Sequence, residues 1–179
     1  MNDTSRGLPL TRSHVDKIFP KLTPEQTRRI AARGGQMRKI QVGEVLVEQG
    51  DGTVPFFVVV SDELEVVRPC GTVETLVTIH GPGEFTGEVN MLSGRRSIVR
   101  IRATKPGEVI QLNHQNVMNL LQSDTELGEI IMRAFILRRV ELVASGTGDV
   151  VLIGSSNSSS TFRIKVFNAK WTSLLLYRP

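Results

Sequence analysis

Cysteine, aromatic residues and long apolar runs are all scarce in this chain of 179 residues. The single cysteine, Cys70, excludes an internal disulfide, a CxxC redox pair and a cysteine zinc site. Aromatic residues make up only 5% of the chain, so valine, leucine and isoleucine must fill its core. No apolar run approaches the roughly 20 residues that a membrane helix needs, and the first six residues lack the apolar segment of a signal peptide. We therefore expect a soluble, cytoplasmic protein that does not span a membrane.

The net charge of +4 is weak support for nucleic-acid binding. The 22 basic residues are interspersed with 18 acidic ones and do not form one block. Arg100 and Arg102 alternate with Val99 and Ile101, as side chains on the exposed face of a strand do. We expect no DNA partner from this distribution.

Two helices are predicted near the start of the chain. A short helix around Ser13 ends before Pro20. The second helix has a stronger signal, because Thr23-Pro24-Glu25-Gln26 combines an N-cap threonine, a proline at the first helical position and the glutamine of a capping box. This helix runs to about Ala32 and is closed by Gly34-Gly35.

From Met37 to Leu112 the pattern changes to short β-type runs separated by glycine turns. The predicted turns include residues 49–52, Pro69-Cys70-Gly71 and residues 105–107. About eight such strands predict an α+β fold, an antiparallel, jelly-roll-like β-roll flanked by N-terminal helices and a long C-terminal helix.

Two further helices are predicted after the roll, over Val117–Leu121 and over Asp124 to about Ala144. The longer one is apolar on more than one side, whereas a helix that packs only on the roll needs a single apolar stripe. We therefore predict a second contact for residues 124–144, with either a twin helix in a homodimer or a following domain.

The segment from Gly81 to Ile98, GPGEFTGEVNMLSGRRSI, concentrates the unusual chemistry of the chain. Its glycines allow backbone angles closed to other residues and let a ligand lie against the main chain, so residues 87–89 can offer N–H groups to an anion. Arg96 can donate two N–H groups to a phosphate, and Ser97 adds a hydroxyl. Glu88 only accepts hydrogen bonds, which suits a sugar hydroxyl. The pattern indicates a site for a sugar phosphate.

A simpler interpretation of the same residues is structural. Pro82-Gly83 makes a turn, Glu88 and Arg96 form a surface ion pair, and Arg95 is solvated. The order of the residues favours the ligand site, because G-P-G-E-F-x-G-E-V-x-x-L followed by R-R-S resembles the phosphate-binding cassette of cyclic-nucleotide-binding domains. Two further segments, Val42–Asp51 and Gly107–Leu112, also resemble this family, whose roll is that of catabolite-activator-like proteins.

The resemblance implies a ligand and its contacts. Gly87 and the backbone amides of Val89 and Asn90 would face the cyclic phosphate. Glu88 would accept from the ribose 2'-OH, and Arg96, helped by the serine after it, would pair with the phosphate. Arg95 stands where the family often has proline, and Asn90 replaces a residue that is usually small.

Contacts to the base are expected from Val77 and Thr78 and from the long helix. The implied ligand-binding set is therefore Gly87, Glu88, Val89, Asn90, Arg96, Ser97, Val77 and Thr78. We expect cAMP rather than cGMP, since bacterial members of the family mostly use cAMP. No metal, no further cofactor and no catalytic residue is expected, because the three histidines form no nucleophile–base or metal-ligand set at recognisable spacing.

Three parts are predicted along the chain: an N-terminal segment over residues 1–21, a cyclic-nucleotide-binding domain over residues 22–145, and a linker with an incomplete βα extension over residues 146–179. The segments Met132–Leu142 and VVLIGSS after Asp149 resemble the junction in bacterial fusions of such a domain with a thioredoxin-reductase-like flavoprotein. The expected role is a sensor that signals through its C-terminal helix to an effector of that type.

Two other functions stay open at this point. One is an interaction module that has lost its ligand and dimerises or docks through the long helix. The other is a catabolite-activator-like transcription regulator, although no recognition helix is in view after residue 145.

Overall fold

The computed structural model describes the backbone of residues 12–86 and 96–144 and the side chains of residues 15–86 and 96–141. The helices of this part are α1 (Arg12–Ile18), α2 (Pro24–Ala32), α3 (His114–Ser123) and α4 (Thr125–Ala144). Its strands are β1 (Gln36–Ile40), β2 (Val45–Val47), β3 (Phe56–Ser61), β4 (Leu64–Cys70), β5 (Val73–His80), β6 (Phe85–Thr86), β7 (Arg100–Ala103) and β8 (Gly107–Leu112).

The strands form two four-stranded sheets in which every pair is antiparallel. The first sheet has the order β1-β8-β3-β6, and the second has the order β2-β7-β4-β5. Apart from the β4–β5 hairpin, neighbouring strands in each sheet come from distant parts of the chain, as in a roll. This arrangement, with helices before and after it, confirms the predicted fold class.

Strand β3, inside the first sheet, is buried on both faces. On β3, Phe56 and Val58 belong to a hydrophobic cluster that includes α2, α3 and α4. Phe57 and Val59 belong to a second cluster, shared with the strands of the second sheet. Successive strand residues point to opposite faces, so the continuous apolar run of β3 fills both layers. Each such side chain contributes roughly 1.5–3 kcal/mol when fully buried.

Three phenylalanines meet where α4 packs against the first sheet. The ring centroid of Phe56 lies 5.4 Å from that of Phe85 and 6.2 Å from that of Phe135 on α4. The ring centroids of Phe85 and Phe135 are 6.3 Å apart, and the two rings meet edge to face at an interplanar angle of 66°. Aliphatic residues fill most of the core as expected, but this junction is aromatic.

The outer face of the second sheet carries a network of ion pairs. Arg100 donates from Nε to both carboxylate oxygens of Glu48 at 3.0 Å, and Arg102 donates to Glu65 at 2.7 Å. Glu74 on the edge strand pairs with both arginines. The hydrogen bond from Arg100, followed by one from the backbone of Gln49, lowers the pKa of Glu48. The predicted alternation is confirmed, since the β7 residues between and after the arginines are buried.

One turn differs from its prediction, and another contains an unusual backbone angle. The predicted turn at Pro69-Cys70-Gly71 is wrong in its start, because β4 continues through Cys70 and the turn begins at Gly71. Pro69 pairs with β5 but lies past Val67, the last β4 residue that pairs with β7, so its missing N–H removes no bond to β7. In the β3–β4 turn, Asp62 has φ +64°, a conformation that favours glycine.

The N-terminus of α2 has the predicted capping box. The Thr23 hydroxyl accepts from the Gln26 backbone N–H at 3.2 Å, and the Gln26 side chain accepts from the Thr23 N–H at 2.9 Å. Pro24 occupies the first turn, where its missing N–H would have no helical partner. The helix ends at Ala32, as predicted.

The chain divides after Leu137 into two compact units. The first contains both sheets and the greater part of α4, whose Leu127, Ile131 and Phe135 are buried while Ile136 is 53% exposed. Of the second unit, only the end of α4 is described. The predicted extension over residues 146–179 and most of the predicted N-terminal segment lie outside the described residues. None of the helices in the described part has the length and apolarity to cross a membrane.

Candidate ligand-binding site

The glycine motif, defined as residues 81–95, is fixed to the first sheet at its start. β6 pairs with β3, and Gly83 donates its N–H to the Val59 carbonyl at 2.9 Å. Gly83 has φ +84°, and a Cβ there would lie 2.8 Å from the carbonyl oxygen of Leu22. Gly83 therefore has the backbone angle predicted for the glycines of the motif, but the space beside it is occupied by the chain and is not left for a ligand. It is needed because the chain before α2 passes close to the turn.

A buried histidine lies beside this turn. His80 is 1% exposed, and its Nδ1 is 3.3 Å from the Glu84 carboxylate, which also accepts from the Gly81 N–H at 3.3 Å. The His80 ring packs on Phe19, with the ring centroids 5.9 Å apart. These contacts make His80 a structural residue of the turn.

Four of the eight predicted site residues, Gly87, Glu88, Val89 and Asn90, lie outside the described residues. Their roles stay predictions, as does the convergence of Glu88 with Arg96. The structure places the other four, two of them after the motif and two on β5.

Arg96 and Ser97 follow the motif and lie against the β2–β3 turn, defined as residues 48–52. Arg96 is exposed, and its Nη1 donates to the Gly50 carbonyl at 2.9 Å. An arginine has five N–H donors, so this bond leaves four for other acceptors. The backbone of Ser97 donates to the Asp51 carbonyl and accepts from the Gly50 N–H, both at 2.8 Å. The arginine predicted to bind phosphate therefore extends from a backbone that is fixed in place.

The Ser97 side chain is less available than the sequence indicates. It is 6% exposed, its hydroxyl donates to the Val99 carbonyl at 2.8 Å, and it accepts from the Val99 N–H at 3.3 Å. A hydroxyl has one proton, and here that proton is donated within the chain. In this conformation Ser97 has no proton for a phosphate.

Thr78 faces the inside of the roll. In the register of the second sheet it lies opposite Val66, which lies opposite Ile101, which in turn lies opposite Val47. Those three residues are buried in the cluster between the sheets, and side chains in one cross-strand row share a face. The half-buried Thr78 is thus the member of that inward row on the edge strand.

Val77 is the extra residue of a β-bulge. Thr78 pairs with Val66 and Leu76 pairs with Val67, so Val77 has no partner on β4 and is 48% exposed. Bulges re-aim side chains and recur beside functional sites. No alternation pattern in the sequence reveals this bulge, because valine and threonine fit a regular strand equally well.

No local sequence signal indicates that the β2–β3 turn contacts Arg96. Its glycines predicted a turn correctly, but the contact between Gly50 and Arg96 joins residues 46 positions apart and leaves no local signal. Among residues 12–86 and 96–144, no group of three or more His, Cys, Asp or Glu side chains is placed to hold a metal ion.

Comparison with known families agrees with this geometry. Residues 37–124 match the family model for the cyclic nucleotide-binding domain. They span the eight strands and α3, from Met37 on β1 to the residue before α4. This part of the chain therefore has the sequence pattern and the antiparallel β-roll of a cyclic nucleotide-binding domain.

The solved structures that resemble it include the Thermus thermophilus catabolite activator protein, with a TM-score of 0.59 and 23% identity over 71% of this chain and 59% of that one. A second, described with a cyclic-GMP-dependent signalling pathway that regulates bacterial phytopathogenesis, has a TM-score of 0.57 and 27% identity. The alignment covers 68% of this chain and 97% of that one.

Relatives found by sequence are much longer. An uncharacterized protein of Mycobacterium tuberculosis is 30% identical over 118 residues, which are 65% of this chain and 22% of the relative. A potassium channel of Arabidopsis thaliana is 26% identical over 89 residues, 50% of this chain and 10% of the channel. The chain thus spans about a fifth or less of the length of these relatives.

Proposed function

We propose that residues 22–145 bind a cyclic nucleotide in the roll and serve as a regulatory module that has no catalytic activity of its own. One observation carries the proposal. Arg96 follows the glycine motif directly, is exposed, and extends from a backbone fixed by the β2–β3 turn. The match of residues 37–124 to the family supports the same conclusion.

In this proposal each part of the ligand meets a different group. Arg96 pairs with the cyclic phosphate, together with the backbone of Gly87, Val89 and Asn90. Glu88 accepts from the ribose 2'-OH. The base lies near β5, where Thr78 faces inward and Val77 is turned out of the regular register.

cAMP is the expected ligand, with cGMP as its direct competitor. The expectation of cAMP rests on the resemblance to bacterial members of the family, which mostly use cAMP. The solved structure with 27% identity is described in connection with a cyclic-GMP-dependent pathway. Every titration should therefore test cGMP alongside cAMP. A micromolar affinity corresponds to about 8 kcal/mol, and the part of it that differs between two positions of the helix is what can shift the helix from one to the other.

Signal transmission is assigned to α4. Ile136 and Val140 are 53% and 54% exposed, respectively, although both are large and apolar. We propose that they lie in the contact with a second copy in a homodimer. A thioredoxin-reductase-like protein is the proposed effector, on the resemblance of residues 132–142 and 150–156 alone. The cytoplasm is the proposed compartment.

Titration with cAMP and cGMP tests the function. The wild type should bind at least one of them, and Arg96→Ala should weaken binding about tenfold to a hundredfold, since it removes a charged hydrogen-bond donor. Arg28→Ala is the matched control, because Arg28 is an exposed arginine in an ion pair on α2. No binding by the wild type, or equal binding by Arg96→Ala, would refute the proposal.

One further variant, Ile136→Glu, helps to decide between a sensor and an interaction module that binds no ligand. Sedimentation of the wild type and of Ile136→Glu should show a dimer that the variant weakens. A dimer that forms while neither nucleotide binds is the result expected of an interaction module.

A further inference from the structure

The β2–β3 turn and the two residues after the glycine motif are joined by three hydrogen bonds. Two are the backbone bonds between Ser97 and the residues Gly50 and Asp51, both of 2.8 Å. The third joins the Arg96 guanidinium to the Gly50 carbonyl at 2.9 Å. A flexible, exposed side chain is thus given one preferred direction by a turn that lies far from it in sequence.

The turn has its own supports. The Glu48 N–H donates to the Asp51 carboxylate at 2.8 Å, and the Asp51 N–H donates back to the Glu48 carbonyl at 3.1 Å. The Glu48 carboxylate accepts from Arg100 on β7. The position of a side chain that this turn holds is therefore fixed relative to the second sheet.

We propose that the β2–β3 turn is a positioning element for the nucleotide phosphate, with the Gly50 carbonyl orienting Arg96 through one N–H and leaving the other donors for the ligand. This inference rests on the proposed function. A long arginine side chain loses much rotamer freedom when it binds, and a guanidinium already oriented before binding loses less. The turn would thereby raise the affinity for the phosphate without touching the ligand.

Gly50 offers a selective way to disturb this contact. Its φ is +96°, and nothing lies within 4 Å of the position that a Cβ would take. Alanine at this position would act through the backbone angle and not through a clash. Gly43 and Gly71 are matched controls, since they have φ of +77° and +61°, the same open surroundings, and places in other turns.

The experiment measures cAMP and cGMP affinity by calorimetric titration, at a temperature where all variants are folded. We expect Gly50→Ala to weaken binding about tenfold and Gly43→Ala and Gly71→Ala to change it by less than about twofold. Gly50→Asn should restore affinity, because asparagine tolerates positive φ. In the Arg96→Ala background, Gly50→Ala should have no further effect, since the residue through which it acts is gone.

The outcomes separate the two ideas. If Gly50→Ala binds like the controls, or weakens binding equally with and without Arg96, the positioning role is overturned while nucleotide binding stands. If the wild type binds neither nucleotide, the proposed function fails and this inference fails with it. A readout without ligand is the exchange of the Arg96 Nη protons with water, measured by NMR. The bond to Gly50 should slow this exchange in the wild type and in Gly71→Ala but not in Gly50→Ala.

Discussion

Arg29 on α2 and Asp124 at the start of α4 form an ion pair of 3.0 Å across 95 residues of sequence. The Asp124 side chain is 9% exposed, and its carboxylate also accepts from the Leu127 N–H at 3.2 Å, so it caps α4. Arg29 bonds in addition to Glu126 at 2.8 Å. One arginine of an N-terminal helix therefore fixes the first turn of the helix to which signalling is assigned.

Replacing Arg29 should destabilise the fold more than replacing its neighbour on the same helix. Arg29→Ala leaves the largely buried Asp124 carboxylate without one of its charged partners, whereas Arg28→Ala removes an exposed pair with Glu25. Thermal unfolding should show a lower Tm for Arg29→Ala and a Tm near that of the wild type for Arg28→Ala. Equal Tm values for the two variants would contradict a structural role for this contact.

The same contact should make stability depend on pH in the acid range. The hydrogen bond from Arg29, and next the one from Gln26, lowers the pKa of Glu126 below its ordinary value of 4.5. A carboxylate with a lowered folded-state pKa stabilises the protein above its unfolded-state pKa, and this contribution is lost as the pH falls through the folded-state pKa.

Urea unfolding between about pH 7 and pH 3 checks this behaviour. The stability difference between the wild type and Glu126→Gln should be largest at neutral pH and should shrink below about pH 4.5. Glu129→Gln, which removes an exposed carboxylate on the same helix, serves as the control. A difference that stays constant over the whole range would exclude the lowered pKa.

Alanine and glycine at position 62, in the β3–β4 turn, should have different effects on the free energy of unfolding. Asp62 has φ +64°, where an L-residue with a Cβ is disfavoured by about 1–2 kcal/mol and aspartate is tolerated better than alanine. Asp62→Ala should therefore lower the free energy of unfolding by about 1 kcal/mol, and Asp62→Gly should keep or raise it. Denaturant titrations that rank alanine above glycine would show that the backbone angle is not the controlling factor.

Ser97 should matter more for folding than for the ligand. Its hydroxyl is engaged by the backbone of Val99, so Ser97→Ala should cost about 1 kcal/mol of stability. Nucleotide affinity should fall less than in Arg96→Ala, because the hydroxyl proton is already donated within the chain. An affinity loss equal to that of Arg96→Ala would mean that the hydroxyl turns toward the phosphate when the ligand binds.

Local signals in the sequence predicted the fold well. The capping box at Thr23 and Gln26 involves residues three apart, and the alternation around Arg100 reflects the period of a strand, so both can be recognised in short windows. The strand count and the helical ending gave the class of fold. The pattern predicts a turn at Pro69 because proline usually interrupts a sheet, but Pro69 lies past the last β4 residue that pairs with β7.

The candidate site was predictable only in part. The order of residues in the chain identified Arg96 and Ser97. The groups to which they bond depend on the tertiary structure. The Gly50 carbonyl is a backbone group, so no residue type marks it as a contact. The bulge at Val77 likewise depends on the register between two strands, which a single strand does not encode.

The aromatic contact between Phe85 and Phe135 has a mechanical consequence. Phe85 belongs to the two-residue strand that leads into the glycine motif, and Phe135 belongs to α4. Interiors are packed too tightly for one of two touching rings to move alone. A displacement of α4 at Phe135 must therefore displace Phe85, at the start of the glycine motif. A ligand that moves Phe85 would in turn displace α4 through the same pair of rings.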